Sequence, residues 1–173
     1  HVRDDLGEKP KGKVDLILDG GDCEVGVEST IINLSGSQPE ILRHGAITRS
    51  MLEQALGCAV PDGGTHSPRA SGTLKSHYAP KTKVILVDDI REALPTFSHQ
   101  KVAAMAPKDH LSATPSNVVK WFAAPELSED YARVLYARLH ELDAASADII
   151  LIENPAQGGL WEAVHDRLNR AAA

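Results

Sequence analysis

Cysteine is scarce in this 173-residue chain: Cys23 and Cys58 stand far apart and form no Cys-x-x-Cys pair. That excludes a disulfide framework and a cysteine-based zinc site, and it fits a reducing cytoplasm. Long apolar runs are missing too. No stretch reaches about 18 apolar residues, the length a membrane helix needs, and no basic-then-apolar leader opens the sequence. Basic residues are outnumbered, with 18 Lys and Arg against 24 Asp and Glu and a net charge of −6. The acidity is spread over both halves, so no basic arm exists, and non-specific nucleic-acid or membrane binding is not expected. The eight histidines form no His-x-x-x-His or comparable cluster, so no metal site is expected at His66, His77 or His110. Repeats and low-complexity tracts are also absent. The sequence opens at His1 on a polar stretch without Met, which reads as the middle of a longer protein.

What is present is ordinary core material, 42% hydrophobic, patterned differently on either side of a central linker. Val14 to Leu18 is a short apolar run closed by Asp19-Gly20-Gly21 and predicts a buried strand. Glu24 to Leu34 mixes β-branched residues with Gly26, and Ile41 to Arg43 resumes after a Ser35-Gly36 turn, predicting strands joined by tight turns. Thr48 reads as the N-cap of a short helix stopped by Gly57. Cys58 to Ser67, with Pro61, Gly63 and Gly64, marks a boundary.

Beyond Pro80 the pattern becomes β-α-β-β-α-β-α. Strands are expected at 83–89, 101–106, 117–123 and 147–153. The helices expected are 90–97, broken by Pro95, one opening at Ser128 as N-cap, and 160–172. The longest helix places Tyr131, Val134, Leu135, Leu139 and Leu142 on one face. This alternation predicts an α/β fold with a small, open, largely parallel sheet layered between helices. The organisation expected is therefore residues 1–57, a linker at 58–80, and an α/β domain at 81–173.

The linker from Arg69 to Lys81 carries Lys75, Ser76, His77 and Tyr78 in a row before Pro80. Cations, an imidazole and a phenol suit a lid over a phosphorylated ligand, although a surface loop with a packed aromatic explains the same residues. Within Gly26-Val-Glu-Ser-Thr30, Ser29 could orient a polar substrate, or be an ordinary edge serine. Arg43, at the end of an apolar strand before Gly45, could pair with a phosphate or make a surface contact. Asp88-Asp89 resembles the acidic pair of receiver domains, but the third strand ends Trp121-Phe-Ala-Ala-Pro125 without a carboxylate, so a solvated pair is expected.

Taken together, Asp15-Leu-Ile-Leu-Asp-Gly-Gly21, Gly26-Val-Glu-Ser-Thr-Ile-Ile32, Ile41-Leu-Arg43 with Gly45, and Ser76-His-Tyr-Ala-Pro80 resemble the threonylcarbamoyl-AMP synthase family (YrdC-like). Leu135 to Asp143 and Ala163 to Ala173 look like the small C-terminal domain of its longer members. The resemblance implies a partial YrdC-like catalytic sheet in residues 1–57, a lid linker, and an accessory Rossmann-like domain. It also implies an ATP-binding nucleotidyltransferase of tRNA threonylcarbamoyladenosine biosynthesis, condensing L-threonine, bicarbonate and ATP, with Mg2+ accompanying the nucleotide.

Carried over, Ser29 contacts threonine, Arg43 the nucleotide phosphates, and His77 and Tyr78 close over the ligand. The family usually shows proline where His44 stands. The N-terminal half, with its Lys-Arg nucleotide motif, has no counterpart here, so this fragment alone is expected to be inactive and to leave sheet edges uncovered. The other reading is a non-enzymatic regulatory or interaction module. Convergence of Ser29, Arg43 and Tyr78 in space separates the two.

Overall fold

The computed structural model describes residues 3, 6–7, 11–21, 23–71, 79–111 and 115–173. Its first part is built on a small antiparallel pair, β1 (Ile31–Asn33) and β2 (Glu40–Arg43), with Ile32 opposite Ile41. The turn between them is held by Asn33, whose carboxamide donates to Glu40 (2.7 Å) while its Oδ1 accepts the Ser35 amide at 3.0 Å. Helix α1 (Arg49–Leu56) follows as expected. The Thr48 hydroxyl accepts the Met51 amide, and Gly57, at φ 68, returns its N–H to the Glu53 carbonyl. The chain then runs back along β2. Ile41 donates to the Pro61 carbonyl at 2.8 Å, Gly63 donates to the Ile41 carbonyl at 2.7 Å, and Val60 is fully buried.

Two expected strands are corrected here. Residues 14–18 join neither sheet, and Leu16 and Leu18 are 70% and 84% exposed, because no described strand lies beside them to complete a ladder or cover their apolar side chains. Of Glu24 to Leu34, the ladder includes only Ile31–Asn33.

The second part is the expected α/β alternation. Strand β3 (Val84–Val87) leads to α2 (Ile90–Ala93), which tightens into a 3-10 turn, Leu94–Phe97, at Pro95. Then come β4 (Val102–Ala106), a 3-10 turn at Lys108–Leu111, β5 (Val118–Ala123), α3 (Ser128–Asp143), β6 (Ile149–Glu153) and α4 (Trp161–Ala171). The sheet order is β3-β6-β4-β5 and every pair is parallel. The central strands β4 and β6 are buried along their whole length, so they read as continuous apolar runs.

Their period-2 alternation separates two cores. Ala103, Met105, Ile150 and Ile152 meet Tyr131, Leu135, Leu139 and Leu142 of α3 and Val164 and Leu168 of α4. On the other face, Val102, Ala104, Ile149 and Leu151 meet Ile90 and Leu94. Ser128 is the first helical residue of α3 and not its N-cap. Leu127 occupies the cap position without a side-chain bond, and the Ser128 hydroxyl donates to Glu129 instead.

Candidate functional site

Arg43 closes β2 as a buried residue, at 8% exposure, whereas Ser29, just before β1, is exposed. The two are in contact. Arg43 Nε donates to the Ser29 carbonyl at 3.0 Å, and Nη2 donates to the Ser29 hydroxyl at 3.3 Å. Nη1 reaches the carbonyl of Ser71 at 2.9 Å. The close approach depends on Gly45, where a Cβ would lie 2.4 Å from the Glu28 carbonyl oxygen and from the Thr30 amide. These bonds leave the planar guanidinium with further N–H donors beside an accessible hydroxyl, a donor set suited to a carboxylate or phosphate oxygen and not to a cation. Ser29 and Arg43 are therefore brought together, while His77 and Tyr78 lie outside the described residues. The Asp143 carboxylate, ending α3, accepts the amides of Lys81 (3.1 Å) and Thr82 (2.8 Å) just before β3.

Side chains alternate along β2, so Leu42 points away from Arg43. Leu42 and His44 help line a separate polar cleft of about 880 Å³, which β2 and α1 form with α4. Charges cross it. His44 meets Asp62 through Nε2 at 2.7 Å and Glu162 of α4 through Nδ1 at 3.1 Å, and Arg49 reaches the same two carboxylates at 2.8 and 3.4 Å. Sequence reading missed this group, because its members are far apart in the chain and no local motif joins them.

The backbone leading to Ser29 rests on the second part of the molecule. Gly26, at φ +77, lies directly on α3, where a Cβ would come within 2.3 Å of the Ala132 carbonyl oxygen. Arg133 Nε donates to the Glu24 carbonyl at 3.2 Å. The Glu28 carboxylate accepts Arg167 Nε at 2.7 Å and the Tyr136 hydroxyl at 3.1 Å. Burial by itself would raise the Glu28 carboxyl, but the Arg167, backbone and Tyr136 bonds outweigh it and hold the group below the usual carboxylate range. Burial, then the neighbouring Glu28 charge, pushes the Tyr136 phenol well above its ordinary value.

Among the described residues, Asp89, His110 and Glu153 form one group able to hold a metal, with ligand atoms all within 4.8 Å of one another at the C-terminal end of the parallel sheet. Each is already engaged. Arg91 clasps both Asp89 oxygens and holds its carboxyl far below the usual range, while the nearly buried Glu153 accepts the Ile90 amide at 3.0 Å and meets His110 Nδ1 at 2.9 Å. Of the acidic pair expected to be solvated, Asp88 is exposed and Asp89 is half-buried. Asp89 caps α2 through the Arg91 amide, and Asp88 accepts from the Asn154 side chain at 2.9 Å. Sequence carries no signal for this group, because His110 lies in a 3-10 turn, Asp89 caps α2 and Glu153 ends β6. No helix among the described residues is long and apolar enough to cross a membrane.

Comparison with known proteins matches both parts. A family model described as telomere recombination covers residues 2–45, and one described as threonylcarbamoyl-AMP synthase, C-terminal domain, covers residues 47–173. Threonylcarbamoyl-AMP synthases are similar over the whole chain. The Pyrococcus abyssi protein is 29% identical, with 99% of this chain and 52% of that protein covered. The Schizosaccharomyces pombe protein is 30% identical, with 100% and 48% covered.

A crystal structure of the P. abyssi protein complexed with L-threonine superposes with a TM-score of 0.84 at 29% identity, covering 99% of this chain and 52% of the other. A variant of that protein, with an adjacent His and Tyr changed to Ala, gives a TM-score of 0.82 at 28% identity over 99% and 51%. The chain thus spans about half the length of the relatives it matches. With residues 47–173 covered by that family model, the chain belongs to the threonylcarbamoyl-AMP synthase family and carries its C-terminal domain.

Proposed function

We propose that this chain is the C-terminal part of a threonylcarbamoyl-AMP synthase, a nucleotidyltransferase that condenses L-threonine, bicarbonate and ATP to threonylcarbamoyl-adenylate and pyrophosphate for tRNA modification in the cytoplasm. The observation that carries this reading is the contact between Arg43 and Ser29, because a buried cation beside an exposed hydroxyl supports binding of an amino acid next to a phosphate. Ser29 contacts threonine, the amino acid bound by the P. abyssi relative. Arg43 directs its free donors to the nucleotide phosphates, whose Mg2+ arrives with ATP. His77 and Tyr78 close over the ligand.

Such a reaction is driven largely by positioning and charge neutralisation. Threonine carbamate must be held against the α-phosphate, and an arginine fixed by its own hydrogen bonds loses little freedom when the oxyanion arrives.

The test is pyrophosphate release. The full-length protein is expected to release it in a reaction dependent on both threonine and bicarbonate, and this 173-residue chain alone to release none. Full-length protein that neither binds threonine nor releases pyrophosphate overturns the reading. For the lid, changing His77 and Tyr78 to Ala should lower turnover and speed ligand release while the melting temperature stays put; wild-type turnover in that variant would leave them without the role.

A further inference from the structure

Glu28 and Ser29 are neighbours that face different parts of the molecule. The Ser29 hydroxyl meets Arg43, whereas the Glu28 carboxylate is held by Arg167 of α4 and Tyr136 of α3. We propose that Arg167 and Tyr136 are positioning residues for the substrate site, acting through Glu28 to fix the segment that presents Ser29. This rests on the reading of Ser29 as a threonine contact.

Four observations carry it. First, the residues from Glu24 to Thr30 belong to no strand, and the ladder begins only at Ile31, so the small sheet does not by itself fix their backbone. Second, what does fix it comes largely from the α/β domain: Gly26 lies on the α3 backbone, Arg133 holds the Glu24 carbonyl, and Val27 packs against the core beneath α3 and α4.

Third, the anchor is built and not incidental. The Arg167 side chain is 3% exposed and is held from the other side by Asp166, which also receives Arg170 at 2.6 Å, so the guanidinium reaches Glu28 from a fixed place. Burying a charge to that degree costs free energy that its partners must offset, and Glu28, across the junction, offsets it together with Asp166. Fourth, the same backbone is pressed on Gly45 on its other side, and Thr30 donates its hydroxyl to the Ile47 carbonyl at 2.7 Å. The peptide bearing Ser29 is therefore clamped between β2 on one side and α3 and α4 on the other. A displacement of Glu28 moves the next residue directly, and small misplacements of a binding group lower its contribution steeply.

The chemistry assigns threonine as the ligand whose binding depends on this contact. Arg43, read as the phosphate contact, does not touch Arg167; it donates to Ser29, but its backbone is paired with Ile31 and its Nη1 is held by the Ser71 carbonyl, both independent of Glu28. Loss of the Glu28 anchor should therefore act on threonine more than on ATP.

The experiment uses the full-length protein with Arg167→Lys, Glu28→Gln and Tyr136→Phe, the last keeping the packed ring while removing one bond to Glu28. Steady-state kinetics are read with each substrate varied, alongside hydrogen exchange of the 24–30 peptide. The expected result is a rise in threonine KM of about tenfold for Arg167→Lys and Glu28→Gln and about threefold for Tyr136→Phe, the scale of a lost charge-assisted or neutral hydrogen bond. ATP KM should stay within about twofold, and exchange should quicken at 24–30 while that of β6 is unchanged.

An unchanged threonine KM, or equal losses toward threonine and ATP, would overturn the proposal. If Arg167→Lys does not fold, Tyr136→Phe decides alone, since its ring packing is intact. Wild-type protein that fails to use threonine at all refutes the underlying reading of the site, which is a different outcome from variants that use threonine normally.

Discussion

Arg43 holds Ser29 and Ser71 at once, donating from Nε to one carbonyl at 3.0 Å and from Nη1 to the other at 2.9 Å. One side chain thus ties the segment before β1 to the chain at Ser71.

Removing it should be felt in stability before any chemistry. Arg43→Ala leaves two part-buried carbonyls without their donor, which costs about 2 kcal/mol, or roughly 5 °C in the melting temperature of a chain of this size. Arg43→Lys should recover only part of this, because an ammonium cannot span the acceptors of a planar guanidinium. In the full-length protein, Ser29→Ala should chiefly weaken threonine. Arg43→Ala should weaken ATP by roughly 1.5–3 kcal/mol and threonine as well, because the same guanidinium holds the Ser29 backbone. Substrate titrations of both variants check the pattern. An arginine variant that spares threonine would show that the Ser29 backbone keeps its place without it.

Three glycines rank in a predictable order. Gly57→Ala places a Cβ in open space and pays only for the left-handed backbone at φ +68, about 1 kcal/mol. Gly45→Ala drives a Cβ to 2.4 Å from the backbone of 28–30 and should cost more than about 2 kcal/mol. Gly26→Ala combines φ +77 with a 2.3 Å approach to α3 and should be the most destabilising. Urea midpoints of the three variants test this. A Gly26 variant as mild as the Gly57 one would mean that the 24–30 segment is not docked on α3 in solution.

The Asp143 carboxylate gives a pH dependence of known sign. Burial raises its pKa, but the Thr82 and Lys81 amides outweigh that and lower it from its ordinary value. A depressed folded value means that the stabilisation is complete above about pH 4 and is lost as pH falls through the folded pKa. Asp143→Asn should therefore melt below wild type at about pH 7, with the gap shrinking toward about pH 3. A gap independent of pH would mean that the carboxylate charge plays no part.

Residues 81–173 should fold when excised. Both faces of the parallel sheet are packed by side chains from within that segment, with Val27 the apolar partner contributed from outside it among the described residues. At roughly 90 residues it is near the low end for an independent domain, and a cooperative thermal transition is expected. Amides exchanging freely throughout the excised piece would contradict this.

The α/β alternation after Pro80 was legible because the sequence itself carries it: β4 and the first four residues of β6 are apolar runs, and α3 repeats its apolar residues at helical spacing. The caps of α1 were equally local, a threonine before and a glycine after. Ser29 and Arg43 could be named from their motifs, but their contact could not, since it depends on how β1 and β2 pair. Residues 14–18 misled for the opposite reason. Their pattern is that of a strand, yet a strand exists only where another supplies its hydrogen bonds.

Tertiary structure alone decided the rest. It placed Glu28 against Arg167, His44 against Glu162, and Asp89 beside His110 and Glu153, pairs whose members are widely separated in the chain. Local propensity is written in neighbouring residues, whereas ion pairs across a junction depend on where whole elements come to rest, and no short-range pattern encodes that.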